Sequence, residues 1–328
     1  MKSFTLAAFA TALALVPYAA AHGSVAKITI DGKDYAGPGV GKGALKGSPI
    51  RAISEVDPVK GATNPNLACG QSAALADTTV PANSGSTVEL HWVNGNGGPW
   101  PHDRGPIINY MASCGSDDCS TFDASQAKWF KIEESGIQSD GTWEQAKLMT
   151  GAPFTLTLPQ NLAPGGYLLR HEIISLQLAM SSGGYESYPS CSQLNIGGSG
   201  TGKPDATVSF PGAYTDTDPG LLVDVYDLDG KPYTFPGGPV SNLASLSADG
   251  MSAASGGNNS SPGGAAVSSA APSSSSPAAA APSAPSAAAP SASVSVASAP
   301  AAASSPASTK TCSKKKRMAK RHIRHASH

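Results

Sequence analysis

The chain has 328 residues and a formal net charge of −1, with 40% hydrophobic and only 14% charged residues. The near-neutral net charge hides an uneven distribution of charged residues along the chain. Residues 3–309 contain 13 basic residues and all 23 acidic ones, so their net charge is about −10. An acidic body of this kind excludes nucleic acid and anionic membranes as favoured partners.

The first predicted element is a secretory signal. One early lysine precedes an apolar run from Leu6 to Leu15, and the small residues Ala19 and Ala21 stand just before His22. The run is much shorter than the roughly 20 residues that cross a bilayer, and no later segment comes closer, so no membrane span is predicted. We therefore expect residues 1–21 to be removed and the protein to be secreted with His22 at its amino terminus.

Residues 22–242 suit one domain, and their pattern predicts β-structure. Short runs rich in β-branched and aromatic residues alternate with clusters of Gly, Pro, Asn and Asp, which is typical of an antiparallel, immunoglobulin-like or fibronectin-like β-sandwich. The predicted strands are SVAKITI, STVELHWV, GPIINYMA, FTLTLP, YLLRHEIISLQL, SQLNI and LLVDVYDL. The segments AKWFKI and TWEQAKLM are brief helical alternatives, and the stretch from Gly32 to Gly70 is expected to be a loop.

The chain changes in composition from about Ser245, where Ala, Ser, Pro and Gly dominate. Such a segment buries too little apolar surface to offset its conformational entropy, so residues 243–309 are predicted to be a disordered, glycosylated stalk. Asn258 and Asn259 are candidate N-glycan acceptors within it. Residues 310–328 form a basic tail, which could contact acidic cell-wall polymers or could simply be solvated.

Five cysteines in an exported chain predict two disulfides and one unpaired residue. Cys114 and Cys119 are close enough to staple one loop, and Cys69 and Cys191 would join distant parts of a core. Cys312 lies alone in the tail. The sequence contains no C-x-x-C pair, which argues against a zinc site built from cysteine.

Histidines provide the candidate metal ligands. Cleavage before His22 would place an α-amine and an imidazole on one residue, and His102 lies in the Gly/Pro-rich loop GNGGPWPHDRGPIINY, where its ring can project from a rigid edge. Three nitrogen donors with open positions suit copper, whereas zinc usually requires a fourth protein ligand. An exposed histidine without a task is the alternative for His102. His91 and His171 are interpreted as structural, and Trp100 is expected to pack under the loop.

Seven motifs occur in one order along the chain: HGSV, WPHDRGPIINYMASC, KWFKIEESG, LPQNLAPGGYLLRHEIISLQLA, YESYPSCSQLNI, VSFPGAYTDTDPG and YTFPGGP. In this order they resemble the motifs of fungal lytic polysaccharide monooxygenases of auxiliary activity family nine, formerly glycoside hydrolase family 61. They span nearly all of His22 to Pro239. Each motif is weak alone, and their shared order makes the resemblance specific.

The resemblance implies one copper ion held in a histidine brace by His22 and His102, with Tyr188 as the axial ligand. It also implies a flat copper face formed by long loops, which would lie on polysaccharide. Tyr233 matches a position where the family often has a stacking aromatic, and a half-buried loop aromatic is the alternative. The implied disulfides are Cys69–Cys191 and Cys114–Cys119.

Three features depart from the family pattern. The spacing from His102 to Pro106 is one residue longer than the usual H-x-G-P, so the loop must bulge to present the ring. The positions where the family often has a histidine and a glutamine near copper are Gln177 and Glu186 here. Gln177 can donate and accept hydrogen bonds but cannot deliver a proton as an imidazolium would, and Glu186 adds a carboxylate.

The predicted function is oxidative cleavage of a β-1,4-linked glucan such as cellulose. The enzyme would be a secreted monomer that contains copper and uses an external electron donor with oxygen or hydrogen peroxide. One alternative is a copper-binding cell-wall protein that does not cleave, which the altered residues Gln177 and Glu186 favour. Another is a glycosidase with paired carboxylates, which the scattered acidic residues disfavour.

Overall fold

The computed structural model describes residues 21–228 and 231–244, which contain two β-sheets. The first sheet contains β1 (Gly23–Ile30), β2 (Lys33–Ala36), β4 (Thr87–Asn94) and β7 (Phe154–Thr157), in the order β2-β1-β4-β7. The second contains β3 (Val80–Asn83), β5 (Ile107–Ser113), β6 (Phe130–Ser135), β8 (Gly165–Ser175) and β9 (Glu186–Gly197), in the order β3-β9-β8-β5-β6. Short 3-10 helices lie at Pro65–Leu67, Ala124–Gln126 and Glu144–Thr150.

The predicted β-sandwich is confirmed. Strand pairing is antiparallel except between β3 and β9, which run parallel at the edge of the second sheet. On β8, Leu169 and Ile173 face the core between the sheets, whereas Leu168 and Ile174 face a second apolar cluster beneath the loops. Because this sheet is buried on both faces, nearly every residue of β8 is buried, instead of every second one.

Three interpretations of local structure are wrong. The stretch from Gly32 to Gly70, expected to be a loop, begins with β2 at Lys33–Ala36. The segment LLVDVYDL, residues 221–228, forms turns instead of a strand. The amides of Leu221 and Leu222 both donate to the Asp218 carbonyl, and the Asp224 side chain accepts from the Tyr226 amide, so aspartates direct the local backbone. AKWFKI runs into β6 and forms no helix, whereas TWEQAKLM contains the third 3-10 helix, as predicted.

Both predicted disulfides are present. Cys69–Cys191 joins the long loop between β2 and β3 to β9, with a sequence separation of 122, and Cys114–Cys119 staples the loop after β5. The signal segment before Ala21, the stalk beyond Ala244, the basic tail and Cys312 lie outside the described residues. No helix within residues 21–228 and 231–244 has the length and apolarity to cross a bilayer.

A buried ion pair anchors the long loop between β2 and β3. Arg170 and Glu172 share one face of β8, both fully buried, and Nη1 lies 2.7 Å from Oε2. Arg170 also donates to the Leu67 carbonyl at 2.8 Å. Glu172 accepts hydrogen bonds from the hydroxyls of Tyr214, at 2.5 Å, and Ser187. These partners offset the cost of burying two charges and fix the loop to the sheet.

His171 is structural, as predicted. The Trp92 indole donates to its Nε2 at 2.9 Å, which leaves the proton on Nδ1, 2.7 Å from the Asn109 side-chain oxygen. The Asn109 amide then donates to Glu133 at 3.2 Å. Burial lowers the pKa of His171 to about 3 and raises the pKa of Glu133 to about 7. Both groups therefore favour their uncharged forms in the folded protein.

The two shifted groups predict how stability depends on pH. The pKa of His171 is lowered from its ordinary value of 6.5 to about 3, so the unfolded state binds more protons than the folded state between these pH values. The protein therefore loses stability as the pH falls from 6.5 towards about 3. The raised pKa of Glu133 contributes stability that is complete below its ordinary 4.5 and is lost as pH rises through about 7. The effects oppose each other between pH 4.5 and 6.5. We expect Glu133→Gln to reveal a rise in unfolding free energy with pH of up to about 1.4 kcal/mol per unit.

Urea unfolding at several pH values measures this slope. Glu55→Gln is a matched control, because it makes the same change at an exposed loop position away from this network, and it should keep the wild-type profile. A Glu133→Gln profile parallel to that of the wild type would contradict the prediction.

Candidate metal centre

Three separate elements bring the predicted ligands together. His22 directly precedes β1, His102 lies in the loop between β4 and β5, and Tyr188 is on β9. The His22 carbonyl accepts a hydrogen bond from the Gly95 amide at 2.8 Å, where the His102 loop begins. The pairing of β1 with β4 thus sets His22 beside this loop.

The rings of His22 and His102 both lie near the Tyr188 phenol. Their centroids lie 6.2 and 6.4 Å from that of Tyr188. Nε2 of His102 is buried and has no hydrogen-bond partner among the described residues. Burial lowers the pKa of His102, which favours the neutral imidazole. A buried, unpartnered imidazole nitrogen beside a second imidazole and a phenol fits a metal ligand.

Trp100 supports the loop from below, as the sequence predicts. Its buried ring makes edge-to-face contacts with His102 and Tyr188, with centroids at 5.3 and 4.9 Å. Its indole N–H donates to Oε1 of the buried Gln145 at 3.1 Å, and the Gln145 amide donates to the Gly105 carbonyl at 3.2 Å. Gln145 is a positioning residue that the sequence does not reveal, because these partners are 40 and 45 residues away.

Gly105 determines the course of the loop after His102. Its φ of +130° suits glycine alone, and a Cβ at this position would lie 1.9 Å from the Ile174 carbonyl oxygen. The neighbouring Arg104 carbonyl accepts from the Leu176 amide at 3.0 Å. The loop therefore passes directly against the end of β8, held by contacts that a side chain would displace.

Two acidic side chains contact the predicted ligands. Oδ1 of Asp57 lies 2.9 Å from Nδ1 of His22, although the Asp57 side chain is 61% exposed. Glu186 accepts a hydrogen bond from the Tyr188 hydroxyl at 3.0 Å. Burial, followed by the charge of Glu186, raises the pKa of Tyr188, so the phenol keeps its proton. Asp57 was missed because its position in the long loop carries no motif.

Comparison with known proteins identifies the family. The sequence model of auxiliary activity family 9, formerly glycoside hydrolase family 61, matches residues 22–234. The chain belongs to auxiliary activity family 9.

Relatives of this auxiliary activity family 9 protein share most of its described length. It is 51% identical to lytic polysaccharide monooxygenase D of Gloeophyllum trabeum, over 72% of this chain and 68% of that protein. The extended catalytic domain of a lytic polysaccharide monooxygenase from H. jecorina is 32% identical, with a TM-score of 0.61 and coverage of 68% and 92%. A cellulose-active polysaccharide monooxygenase from M. thermophila is 34% identical, with a TM-score of 0.57 and coverage of 67% and 98%.

Family membership gives the enzyme class. This auxiliary activity family 9 protein is a lytic polysaccharide monooxygenase, which is a copper oxidoreductase. The leading prediction of the class from sequence is thereby confirmed. The class is distinct from both alternatives, the wall protein without cleavage activity and the glycosidase with paired carboxylates.

The auxiliary activity family 9 pattern places Gln177 near the metal, but the contacts of its side chain lead elsewhere. Gln177 is half-buried, and its Oε1 accepts a hydrogen bond from the Ser175 hydroxyl. No hydrogen bond in the described part of the chain joins it to the three predicted ligands. Its neighbour Leu176 is bonded to the His102 loop, so Gln177 lies beside that loop. A role for Gln177 at the metal stays a prediction.

The predicted stacking residue Tyr233 lies in a cluster of aromatic rings. It makes edge-to-face contacts with Trp143 and Phe235, with centroids at 5.0 and 5.1 Å. Its hydroxyl donates to the Gly220 carbonyl at 2.7 Å. Half-burial leaves part of the side chain at the surface, so a stacking role for Tyr233 also stays a prediction.

Tyr226 is a more exposed aromatic beside the His102 loop. Its side chain is 56% exposed, and the Arg104 guanidinium of that loop lies over its ring at 4.7 Å. The Val223 amide donates a hydrogen bond to the Ala179 carbonyl and so joins two segments of the chain. Both segments contain other exposed apolar residues. They are Leu178, Met180 and Leu222. Sequence reasoning missed Tyr226 because its segment was interpreted as a strand.

Proposed function

We propose that His22, His102 and Tyr188 would hold one copper ion, with the two histidines forming a histidine brace. The buried, unpartnered Nε2 of His102 is the observation that supports this most directly. Within the described residues, no group of three or more His, Cys, Asp or Glu side chains is arranged to hold a metal ion. In this proposal the third nitrogen donor is the α-amine of His22, which removal of residues 1–21 would expose.

The chemistry of His22 decides which of its nitrogens can take part. The α-amine and Nδ1 can bind one ion as a chelate, whereas Nε2 points away from the amine. Asp57 contacts Nδ1 and has to release it, which its exposed side chain permits. Three nitrogen donors leave coordination positions of the ion open and suit copper. Copper in such a site supplies one-electron chemistry towards oxygen or hydrogen peroxide.

The chain's own residues orient this site. Trp100 packs against both His102 and Tyr188, so it keeps the two side chains in fixed relation. Glu186 accepts the phenolic hydrogen bond of Tyr188. The low exposure of these groups limits their alternative positions, which is what a preorganised site requires.

The substrate that we propose is a β-1,4-linked glucan, in particular cellulose. One related structure is described as cellulose-active. Tyr226 and its exposed apolar neighbours lie beside the His102 loop, where a sugar ring could stack on an aromatic face, and Tyr233 would extend this surface. An external donor supplies electrons. The enzyme acts as a secreted monomer.

Product analysis tests this proposal. Copper-loaded protein with His22 at its amino terminus, given ascorbate and hydrogen peroxide, should release oxidised oligosaccharides from amorphous cellulose, detected by mass spectrometry. His91→Ala is the control, because His91 lies on β4 of the first sheet and contacts Thr29 and Glu89 instead of the metal centre. That variant should keep its activity. A complete lack of oxidised products from cellulose, xyloglucan and mixed-linkage glucan would contradict the proposal.

A further inference from the structure

The long loop between β2 and β3 forms one isolated bridge with β9 at the metal centre. Val59 and Ser187 pair antiparallel, with N···O distances of 2.8 and 3.2 Å. In an antiparallel pair the next residue on one strand lies opposite the previous residue on the other, so Lys60 lies opposite Glu186. The bridge thus sets a lysine directly across from the carboxylate next to the predicted axial ligand.

Lys60, Glu186 and Tyr188 form a connected row on one face of this bridge. Glu186 and Tyr188 are two residues apart on β9 and therefore project to the same side. Glu186 uses both of its oxygens, since Oε1 lies 3.1 Å from Nζ of Lys60 and Oε2 accepts from the Tyr188 hydroxyl at 3.0 Å. The Glu186 side chain is 13% exposed, so the ammonium group compensates a largely sheltered carboxylate.

The carboxylate of Glu186 controls the direction of the Tyr188 hydroxyl. A carboxylate only accepts hydrogen bonds, so the phenol has to direct its O–H towards Oε2. The lone pairs of the phenol oxygen then face away from Glu186. An amide at position 186 could donate or accept, and it would not impose this single orientation.

We infer that Lys60 is a positioning residue for the axial phenol, because it holds Glu186 where the carboxylate orients the Tyr188 hydroxyl. The inference rests on the proposed copper site. Lys60 contacts none of the three predicted ligands itself and acts through Glu186. Without Lys60, the carboxylate loses its charge partner and turns towards solvent, and the phenol loses its fixed acceptor.

Electron paramagnetic resonance of the copper(II) protein tests the inference without substrate or turnover. Lys60→Met keeps the chain length and removes the charge, and Lys60→Arg restores the charge. Lys46→Met makes the same change at an exposed position of the same loop. We expect Lys60→Met to alter the copper(II) g and hyperfine values, whereas Lys60→Arg and Lys46→Met keep the wild-type spectrum. Either the copper affinity or the turnover of Lys60→Met should fall about tenfold. This is the lower end of the loss that follows when a hydrogen-bonding partner of a metal ligand is replaced.

The experiment distinguishes failure of the proposed copper site from failure of the inferred role of Lys60. A wild-type protein without an axial, nitrogen-coupled copper(II) signal would refute the proposed copper site. A normal wild-type signal that stays unchanged in Lys60→Met would overturn only the role of Lys60. Glu186→Gln is the second variant, and it should alter the spectrum in the same direction as Lys60→Met. Circular dichroism melting checks that each variant is folded, and a loss of fold in Lys60→Met would assign the lysine to stability instead.

Discussion

Replacement of His22 by alanine is expected to remove nearly all specific copper binding. The variant keeps its α-amine but has no Nδ1, so the amine and the ring can no longer bind one ion together. We expect the Kd for copper(II) to rise by more than about 100-fold, beyond the range that loss of a ligand's hydrogen-bonding partner causes. Competition against a chelator of known affinity measures the change, and oxidised products should disappear with it.

Two further variants define what this result means. His102→Ala retains the amine and Nδ1 of His22 and should lose affinity as well, since it removes the third nitrogen. His91→Ala removes a histidine that contacts Thr29 and Glu89 and should bind copper as the wild type does. Intact mass has to show that each mature chain begins at position 22. Copper affinity within tenfold of the wild type in His22→Ala would refute the brace.

Replacement of Arg170 by methionine is expected to produce the largest loss of stability. The change leaves Glu172 buried without its cation, 2.7 Å from where the guanidinium lay, and removes the hydrogen bond to the Leu67 carbonyl. Breaking a buried ion pair on one side costs about 3–5 kcal/mol. Urea unfolding monitored by tryptophan fluorescence measures the free energy of unfolding.

The buried charge itself can be separated from lost packing. The double variant Arg170→Met, Glu172→Gln removes both charges but leaves an amide that can still bond Tyr214 and Ser187, so it should recover part of the lost stability. Lys147→Met breaks an exposed pair with Glu144 and should cost less than about 1 kcal/mol. An Arg170→Met protein as stable as Lys147→Met would contradict this reading of the buried pair.

The sequence predicts those features that depend on local patterns or on ordered motifs. Short strands with turn residues between them are enough for the sandwich, and six of the seven predicted strand segments contribute to strands. The seventh, residues 221–228, has the composition of a strand, but the Asp218 carbonyl and the Asp224 side chain accept hydrogen bonds from its amides and form turns. A β-branched run cannot by itself show whether a neighbouring strand is available to pair with it.

The sequence does not reveal residues whose roles depend on distant partners. Gln145 and Lys60 are ordinary polar residues in their own segments, and only the fold places them against Trp100 and Glu186. Arg170 likewise reaches a carbonyl that is 103 residues away. Trp100 was predictable because it stands two residues before His102. Contacts set by strand register and loop closure could not be read from the chain alone.

The two disulfides differ in their access to dissolved thiols. An enzyme that needs an external electron donor works in a reducing solution, and thiol exchange requires a thiolate to reach a sulfur atom. Cys69 and Cys191 are 3% and 0% exposed, whereas Cys114 is half-buried at the surface. A thiol reductant would therefore reach the peripheral loop first. The bond that holds the Lys60 loop against β9 is therefore the better shielded of the two disulfides, because both of its cysteines are buried.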